Sequence, residues 1–532
     1  MNPSATPLQN TRSTPGTRLA STSGGSAAKA PQAPWRDWLA LGLLMFPVLL
    51  VAVDNTALTF ALPAIARSLE TTGIQLLWIV DAYPLVLAGL LVAMGSLGDR
   101  IGRRRLLLIG SMGFAAVSAA TAFAPSAEWL IAGRAALGFF GAMLMPSTLS
   151  LIRNIFPDPN RRRLAVAIWA AGFSGGAALG PIFGGWLVEQ FWWGAVLLVA
   201  VPIMLPLLAF GPAFIPESKD PAPGRVDVPS ILLSLLVMVP VVYGIKELAA
   251  EGFGSVPLGL IAFGVAMGIV FVRRQRRLAS PLLDMSLFGN RVFSTAIMAN
   301  VLALFSFNGF ILFLAQHLQL LEGMSPSAAG VAMIPALLAT VAAGLVVVPL
   351  VRKIRPGFVV AGGLALSAGG YCLVTFGDHS TGPALLLGAL IILALGVGTA
   401  ETISNDLILG SVPAEKSGAA AAISETGYEV GSLLGTAVLG SILTASYRHN
   451  LRLPAGVAES SPGTATHQAG ETLAGAMDLA GSLPGPLAAA VREASRAAFD
   501  SGVHITAAIA LVLMTAAAVL AAVVLRRVPT AS

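Results

Sequence analysis

The sequence contains little charge and almost no cysteine for its length. Only 11% of its 532 residues are Asp, Glu, Lys or Arg, whereas soluble domains average about 25%. So little charge excludes a soluble enzyme of several domains, because such domains need a polar surface. The single cysteine, Cys372, excludes a disulfide framework and a cysteine-built metal site, and the five scattered histidines predict no metal cluster.

The motifs of enzymes and nucleotide-driven proteins are also missing. The chain has no Gly-x-x-x-x-Gly-Lys-[Ser/Thr] loop, which excludes an ATP-driven pump, and it has no catalytic triad or dinucleotide fingerprint. The net charge of +6 would suggest nucleic acid in a soluble chain, but basic loops beside a membrane explain it. We therefore predict a protein that is not an enzyme and has no catalytic residues, metal, cofactor, nucleotide or nucleic-acid partner.

Apolar residues dominate the sequence instead. They make up 56% of the chain, and the mean hydropathy is +0.81. Since one membrane-spanning helix needs about 20 apolar residues, the composition predicts an all-α polytopic membrane protein with about fourteen transmembrane helices, or about twelve if two segments lie in the interface. The predicted spans are 37–62, 75–97, 105–124, 128–150, 163–188, 193–213, 228–248, 255–272, 291–316, 326–350, 357–377, 383–410, 417–444 and 502–526.

Basic residues are concentrated in every second loop between these spans. The short loops on the other side hold only Arg67 and Lys246. Because Lys and Arg resist translocation, we predict a multi-pass cell-membrane protein with both termini in the cytoplasm. The long outer loop, 446–500, contains two segments with the pattern of short amphipathic helices, 470–482 and 486–500, which could form a hairpin over the outer mouth.

The loop between the second and third spans has a pattern that positive charge alone does not explain. Its glycines would let two helices approach closely, and its one carboxylate, Asp99, could hold helix ends together and cap a neighbouring helix N-terminus. A plain basic loop would explain the arginines but not the glycines spaced around Asp99. The residues assigned to this conformational loop are Gly95, Asp99, Arg100, Gly102, Arg103 and Arg104.

The stretch from Gly95 to Arg104 resembles the signature loop of the major facilitator superfamily, G-x-L-x-D-R-x-G-R-[RK], almost residue for residue. Three further motifs of that superfamily are matched in the expected spans. The stretch from Asp54 to Pro63 resembles the D-x-T-x-x-x-x-A-L-P pattern of fourteen-span drug:proton antiporters, and Arg134 with Gly138 resembles the R-x-x-x-G motif. The motif associated with antiporters is matched in the fifth span by Gly176, Gly180, Pro181, Gly184 and Gly185.

The resemblance covers residues 36–526 and extends to actinobacterial pumps that export quaternary ammonium compounds, dyes and fluoroquinolones. It implies a major facilitator fold, in which two six-helix bundles are related by a pseudo-two-fold axis, with two additional helices between them. The expected segments are a disordered cytoplasmic tail at 1–34, an N-terminal six-helix bundle at 35–213, a linker with two extra transmembrane helices at 214–290, a C-terminal six-helix bundle at 291–526 and a cytoplasmic tail at 527–532.

Four glycines of the fifth span, at 172, 176, 180 and 184, recur every four residues and so line one face of the helix. A face without side chains permits close helix contact, and Pro181 adds a local bend. We predict a hinge or sliding contact between the two halves along this face, with static tight packing as the alternative.

Five carboxylates lie at predicted membrane depth, where charge is costly and functional groups are expected. They are Asp54 in the first span, Asp81 in the second, Glu401 near the middle of the twelfth, and Glu425 and Glu429 in the thirteenth. The last two are four residues apart and so share one helix face. The structural alternatives are that Asp54 braces the first span and that neighbouring hydroxyls satisfy Glu401.

The excess of carboxylates over bases favours cationic cargo and exchangeable protons, which would compete for the same groups. Arg134 is the only base that the sequence places clearly at membrane depth, and Asp81 could simply pair with it. Phenylalanines of the ninth span could offer aromatic faces to a cation, although lipid-facing packing is the simpler interpretation.

These features together predict a proton-coupled antiporter that exports amphipathic, mainly cationic drugs, dyes and antiseptics by alternating access. Its partners would be small-molecule drugs and membrane lipid, and protons would be the coupling ion. One alternative is a dedicated exporter of a single endogenous metabolite, antibiotic or lipid. A non-transporting membrane sensor is less compatible with the sequence, because no stretch is long and polar enough for an output domain.

Overall fold

The computed structural model of the chain describes residues 34–219, 227–252, 254–278, 281–377, 383–413, 416–454, 456–457 and 463–528. All elements assigned within these residues are helical, which confirms the predicted all-α class. The predicted N-terminal tail, except Pro34, and residues 529–532 of the predicted C-terminal tail lie outside the described residues.

The helices are α1 (Pro34–Leu69), α2 (Gly73–Ile101), α3 (Arg103–Thr121), α4 (Ala127–Ile155), α5 (Pro159–Gln190), α6 (Ala195–Leu198), α7 (Ala200–Phe214), α8 (Val228–Glu251), α9 (Ser255–Gln275), α10 (Arg291–Gln316), α11 (Pro326–Leu350), α12 (Pro356–Phe376), α13 (Ala384–Gly410), α14 (Ser417–Leu434), α15 (Gly440–Asn450), α16 (Gly463–Glu471), α17 (Leu473–Ser482) and α18 (Gly485–Val524). A π-helical turn at His317–Leu321 continues α10, and another at Gly435–Leu439 joins α14 to α15.

Helix starts follow the capping preferences of the sequence. The side chains of Ser126, Asp158 and Ser325 each accept a hydrogen bond from the backbone N–H three residues later, at the start of α4, α5 and α11. Thr72 and Gln75 form a reciprocal capping box at the start of α2. These caps fix the residue at which each of these helices begins.

Thirteen helices in the described residues are long and apolar enough to cross a membrane, and they match the predicted spans except the third. The third is α3, which begins with three arginines but packs antiparallel along α4. A Cβ built on Gly110 would lie 2.8 Å from Met143, and one on Gly133 would lie 2.3 Å from Thr121. With α3 included, the described residues contain fourteen long helical segments, as many as the predicted spans.

Both ends of the described chain lie on one side of the molecule, together with the arginine-rich loops. The ring of Trp35 lies 6.4 Å from that of Phe214, whose helix ends beside the conformational loop. Near the other terminus, Arg355 donates a hydrogen bond of 3.1 Å to the carbonyl of Arg526. We call this side the arginine-rich end; its assignment to the cytoplasm stays a prediction.

Two large buried clusters form the cores of two helical halves. The first draws its buried residues from 40–215, apart from Leu312, and the second from 287–525, apart from Phe60 and Ala66. The additional helix α8 packs against α2 of the first half, where the Ser234 hydroxyl donates a hydrogen bond of 3.0 Å to the carbonyl of Gly89. In turn, α9 packs against α8.

The two halves touch at the end opposite the arginine-rich loops, which we call the closed end. A Cβ built on Gly185 of α5 would lie 2.4 Å from the carbonyl oxygen of Pro326 at the start of α11, and one on Gly440 would lie 2.6 Å from the side chain of Leu77. At the same end, Arg67 of α1 forms an ion pair with Asp478 of α17 at 2.9 Å.

The glycine face of α5 does not lie between the halves, so the prediction of a hinge or sliding contact along it is wrong. A Cβ on Gly176 would lie 2.9 Å from that of Ala52, and one on Gly184 would lie 2.7 Å from that of Ala57. Gly180 packs against Thr56 in the same way, and the Thr56 hydroxyl donates a hydrogen bond of 3.1 Å to the Ala177 carbonyl. The face therefore packs against α1 within the first half, which is the static alternative.

The outer segment differs from its prediction at one point. Short helices α16 and α17 do precede the last span, and they lie over the closed end. However, the stretch predicted as a separate helix at 486–500 is the first part of α18, which runs unbroken from Gly485 to Val524. The cause is composition, because 487–524 contains no proline and is rich in alanine, the best helix former.

Candidate functional site

A cavity of about 480 Å³ opens between the two halves at the arginine-rich end. Its walls come from α2, the start of α3, α4 and α5 of the first half and from α13 and α14 of the second. Polar and aromatic residues on these walls include Asp99, Arg103, Arg153, Trp169, Asn405 and Glu425. The molecule is thus open at one end and closed at the other, as one state of an alternating-access transporter would be.

Asp54 of α1 and Arg134 of α4 form a buried ion pair. The distance from Arg134 Nη1 to Asp54 Oδ2 is 2.7 Å, and the two residues are 2% and 5% exposed. The guanidinium also donates from Nε to the Ile79 carbonyl at 3.2 Å and lies over the Tyr83 ring, 4.7 Å from its centre. The alternative that Asp81 simply pairs with Arg134 is therefore wrong.

Helix geometry explains the choice of partner. A Cβ on Gly138 would lie 2.5 Å from the Tyr83 carbonyl, so this glycine lets α4 approach α2 closely. Ile79 and Tyr83 face α4, whereas Asp81 is two residues from each and so lies on the other side of α2, about 200° around the helix.

Asp81 instead pairs with Lys246 of α8. Lys246 Nζ lies 2.8 Å from Asp81 Oδ2, and the two side chains are 1% and 0% exposed. The other carboxylate oxygen accepts a hydrogen bond from the Thr436 hydroxyl. The predictions that Lys246 lies in a short outer loop and that Arg134 is the only base at membrane depth are wrong, because α8 continues to Glu251 and buries Lys246 against α2.

The glutamates of the second half have a different environment. No basic side chain in the described part of the chain forms an ion pair with Glu401, Glu425 or Glu429. Glu429 is 3% exposed, whereas Glu401 and Glu425 are partly buried. The charge of Glu425 acts on both of the other carboxylates. The fold therefore brings these three acids into one cluster.

Aromatic side chains lie beside this cluster. Tyr428 of α14 meets Phe173 of α5 edge to face at 5.9 Å, and Phe173 stacks on Trp169 at 6.3 Å. No matched motif contains these residues, and the only signal in the sequence is the spacing of four between Trp169 and Phe173 in the fifth span. In contrast, Phe310 and Phe313 of the predicted ninth span, α10, are 0% and 1% exposed in the core of the second half.

In the conformational loop, the carboxylate that caps a neighbouring helix is not the predicted one. Asp99 binds Arg103, with Nε 2.9 Å from Oδ1. The N-terminus of α3 is capped by Glu217, whose Oε1 accepts a hydrogen bond of 3.0 Å from the backbone N–H of Arg104. Glu217 lies after α7, more than a hundred residues away, so no local pattern points to it.

Gly102 is what makes room for this cap. Its φ is +110°, and a Cβ there would lie 2.6 Å from Glu217 Oε1. Arg104 supports the same junction, since its Nη1 donates to the Pro212 carbonyl at 3.0 Å. Two predicted members of the loop are less constrained. Arg100 is exposed, and the atom nearest to a Cβ on Gly95 would be 3.8 Å away, an ordinary contact.

The sequence and the fold were compared with those of known proteins. The sequence model of the Major Facilitator Superfamily matches residues 44–436. The multidrug efflux pump LfrA of Mycolicibacterium smegmatis is 52% identical over 93% of this chain and 97% of the relative. The methyl viologen resistance protein SmvA of Salmonella typhimurium is 36% identical over 87% of this chain and 93% of the relative.

The tetracenomycin C resistance and export protein of Streptomyces glaucescens is 32% identical over 91% of both chains. Among solved structures, a bacterial homolog of the human lysosomal transporter Spinster, in an inward-facing and unoccupied conformation, superposes with a TM-score of 0.63. It covers 93% of this chain and 98% of its own, and at 18% identity it supports the fold alone.

Proposed function

The chain belongs to the Major Facilitator Superfamily, and we propose that it is a proton-coupled antiporter that exports amphipathic, mainly cationic drugs across the cell membrane by alternating access. It is a multi-pass membrane transporter and not an enzyme. The observation that carries the proposal is the cluster of Glu401, Glu425 and Glu429 beside an open cavity, with no basic partner among the described residues. The names of the relatives, which refer to multidrug efflux and to resistance, support a drug as cargo.

A cluster of carboxylates at membrane depth is costly unless its charge is neutralised. Protons or a bound organic cation can each neutralise it, so the two compete for the same oxygens. A cation that enters from the open end would release protons there, and protons that arrive when the closed end opens would displace the cation. Protons are thus the coupling ion, and no nucleotide or other cofactor is required.

The aromatic side chains next to the glutamates favour an amphipathic organic cation over an inorganic one. The charge of such a cargo would lie near Glu425, while its apolar body would contact Trp169, Phe173 and Tyr428. A cation over an aromatic face gains about 0.5–2 kcal/mol, depending on how far it is desolvated. Binding of this kind depends little on the exact shape of the cargo, as export of many drugs requires.

The remaining predicted site residues would act on the conformation. Asp54 and Asp81 are held by Arg134 and Lys246 in this state, so either acid would carry protons only in a state in which its pair is broken. The conformational loop would stabilise the junction of α2, α3 and α7, which borders the mouth of the cavity.

The test is transport by purified protein in proteoliposomes with an imposed proton gradient. We expect uptake of ethidium and of methyl viologen to follow the gradient and to stop when a protonophore collapses it. Glu429→Gln should abolish substrate-induced proton release from the solubilised protein. Asp406→Asn is the matched control, because Asp406 is an exposed acid on α13. Transport that does not depend on the proton gradient would contradict the proposal. So would substrate-induced proton release by the Glu429→Gln protein.

A dedicated exporter of one compound is the second candidate. The name of the Streptomyces glaucescens relative, which refers to a single antibiotic, favours it. A susceptibility panel in a strain without its own pumps separates the two candidates. Resistance to many unrelated cations supports the broad exporter, and protection against one compound supports the dedicated one.

A further inference from the structure

Three parts of the molecule meet at one buried carboxylate near the closed end. Asp81 belongs to the first half, Lys246 to the additional helix α8, and Thr436 to the second half. We propose that α8 is a working part of the contact that keeps this end closed, with Lys246 as the positioning residue that holds Asp81 charged and fixed for the hydrogen bond from Thr436. The proposal rests on the alternating-access function proposed above.

The geometry assigns a separate role to each carboxylate oxygen. Oδ2 of Asp81 lies 2.8 Å from Lys246 Nζ, and Oδ1 accepts the hydrogen bond from Thr436. The ammonium of Lys246 also lies over the ring of Trp78, 4.1 Å from its centre. Asp81 and Lys246 are 0% and 1% exposed, so water does not compensate either charge. The lysine therefore stabilises the charged carboxylate that Thr436 binds.

Attachment of α8 to the first half does not depend on Lys246. Towards the other end of α8, Ser234 binds the carbonyl of Gly89, and a Cβ on that glycine would lie 2.6 Å from Leu235. A small apolar cluster joins Leu85 and Val242 to Leu433 and Ala437 of the second half, so α8 also touches the second half near the closed end. The contacts of Ser234 and Leu235 lie only against the first half. We therefore expect α8 to move with α2, as one body with the first half.

Thr436 lies on the other side of the contact, in the π-helical turn that joins α14 to α15. Such turns are often found at functional sites. When the closed end opens, Thr436 must leave Asp81, while Lys246 stays with it. The bond that breaks is a charge-assisted one, about twice as strong as its neutral counterpart. If Lys246 were removed, Asp81 would take up a proton, the bond to Thr436 would weaken, and the closed end would open more often.

The experiment measures opening directly with a single cysteine. Leu77 is 4% exposed and packs against Gly440 across the two halves. In a Cys372→Ser background, Leu77→Cys should react with a membrane-impermeant maleimide only when the closed end opens. We expect Lys246→Met to raise the labelling rate about three- to tenfold, which corresponds to weakening one charge-assisted hydrogen bond. Lys246→Arg, which keeps the charge, should restore the original rate.

Two further variants keep the test decisive if Lys246→Met folds poorly. Thr436→Val removes only the hydroxyl and should raise labelling by the same factor, and Asp81→Asn combined with Lys246→Met should label no faster than Asp81→Asn alone. Lys416→Met is the matched control, because it breaks another Lys–Asp pair, with Asp284 at 2.7 Å, at the arginine-rich end. It should leave the rate unchanged.

Unchanged or slower labelling in Lys246→Met and Thr436→Val, with or without a loss of thermal stability, would overturn the proposal and leave Lys246 as an anchor of α8. Because the readout is accessibility, it needs no transported compound. A wild-type protein that exports no cation but shows the expected labelling would contradict the proposed function and support this inference.

Discussion

In the first half of the molecule each membrane-depth carboxylate has its own base, whereas in the second half three carboxylates cluster with none among the described residues. Asp54 is held by Arg134 and Asp81 by Lys246, at 2.7 and 2.8 Å. A buried pair is rigid, and removing one member leaves an uncompensated charge. Acids without a partner can instead exchange protons and cations. We therefore propose that the same residue types support structure in one half and the exchange of protons and cations in the other.

The largest expected effect comes from breaking a pair in the first half. Asp54→Asn leaves Arg134 buried and without its carboxylate, which should lower the free energy of unfolding by about 3–5 kcal/mol and abolish export of every substrate. Thermal melting in detergent and dye efflux measure the two losses. The double variant Asp54→Asn with Arg134→Gln should recover much of the stability. If Asp54→Asn were as stable as the wild type, the buried pair would not stabilise the first half, and the contrast with the unpaired glutamates would fail.

A somewhat smaller effect is expected at Glu217, the acid that caps α3. Gly102→Ala forces a side chain into a positive-φ position and against the Glu217 carboxylate, which should cost about 1–3 kcal/mol. Melting of the purified protein checks the loss. Gly95→Ala is the control, since its Cβ has room. Equal melting of the two variants would show that the cap on α3 does not stabilise this junction.

The acids of the second half should respond with the opposite sign. Glu425 and Glu429 are like charges one helical turn apart, so Glu425→Gln should raise the free energy of unfolding by about 0.2–0.5 kcal/mol when the carboxylates are ionised. Unfolding in mixed micelles at neutral and alkaline pH measures this change. A loss comparable to that of Asp54→Asn would indicate that Glu425 has a basic partner in the membrane-embedded protein.

The smallest effect is expected for a paired acid in water. Lys416 Nζ lies 2.7 Å from Asp284 at the arginine-rich end, and this hydrogen bond lowers the pKa of Asp284 below its ordinary value. A lowered pKa contributes stability above the unfolded-state pKa, and that contribution is lost as the pH falls through the folded-state value. Wild type should therefore melt slightly above Asp284→Asn from pH 7 to about pH 5. The difference should shrink below about pH 4 and vanish once the pH is below the folded-state pKa. A difference that grows on acidification would contradict this assignment.

The sequence misplaced Lys246 and the partner of Arg134 for a shared reason. Lys246 lies two residues before the end of the predicted span 228–248, so a count of loop charges assigns it to the outer side, although α8 continues past it to Glu251. Likewise, depth alone made Asp81 a partner for Arg134. Which acid a long side chain reaches depends on which face of its helix each residue occupies, and on how the close packing at Gly138 places α4 against α2.

By itself, the sequence determined the helical class, thirteen of the fourteen predicted spans, the side on which basic loops gather and the motifs that mark the family. These properties follow from local composition, because each span must satisfy its own backbone hydrogen bonds inside the membrane. Only the tertiary structure decided that Asp54 and Asp81 are paired while the three glutamates have no base among the described residues, that Glu217 caps α3, and that the glycine face of α5 lies within one half. Each of these contacts joins residues far apart in the chain, so it depends on the rotation and approach of whole helices, which no local pattern encodes.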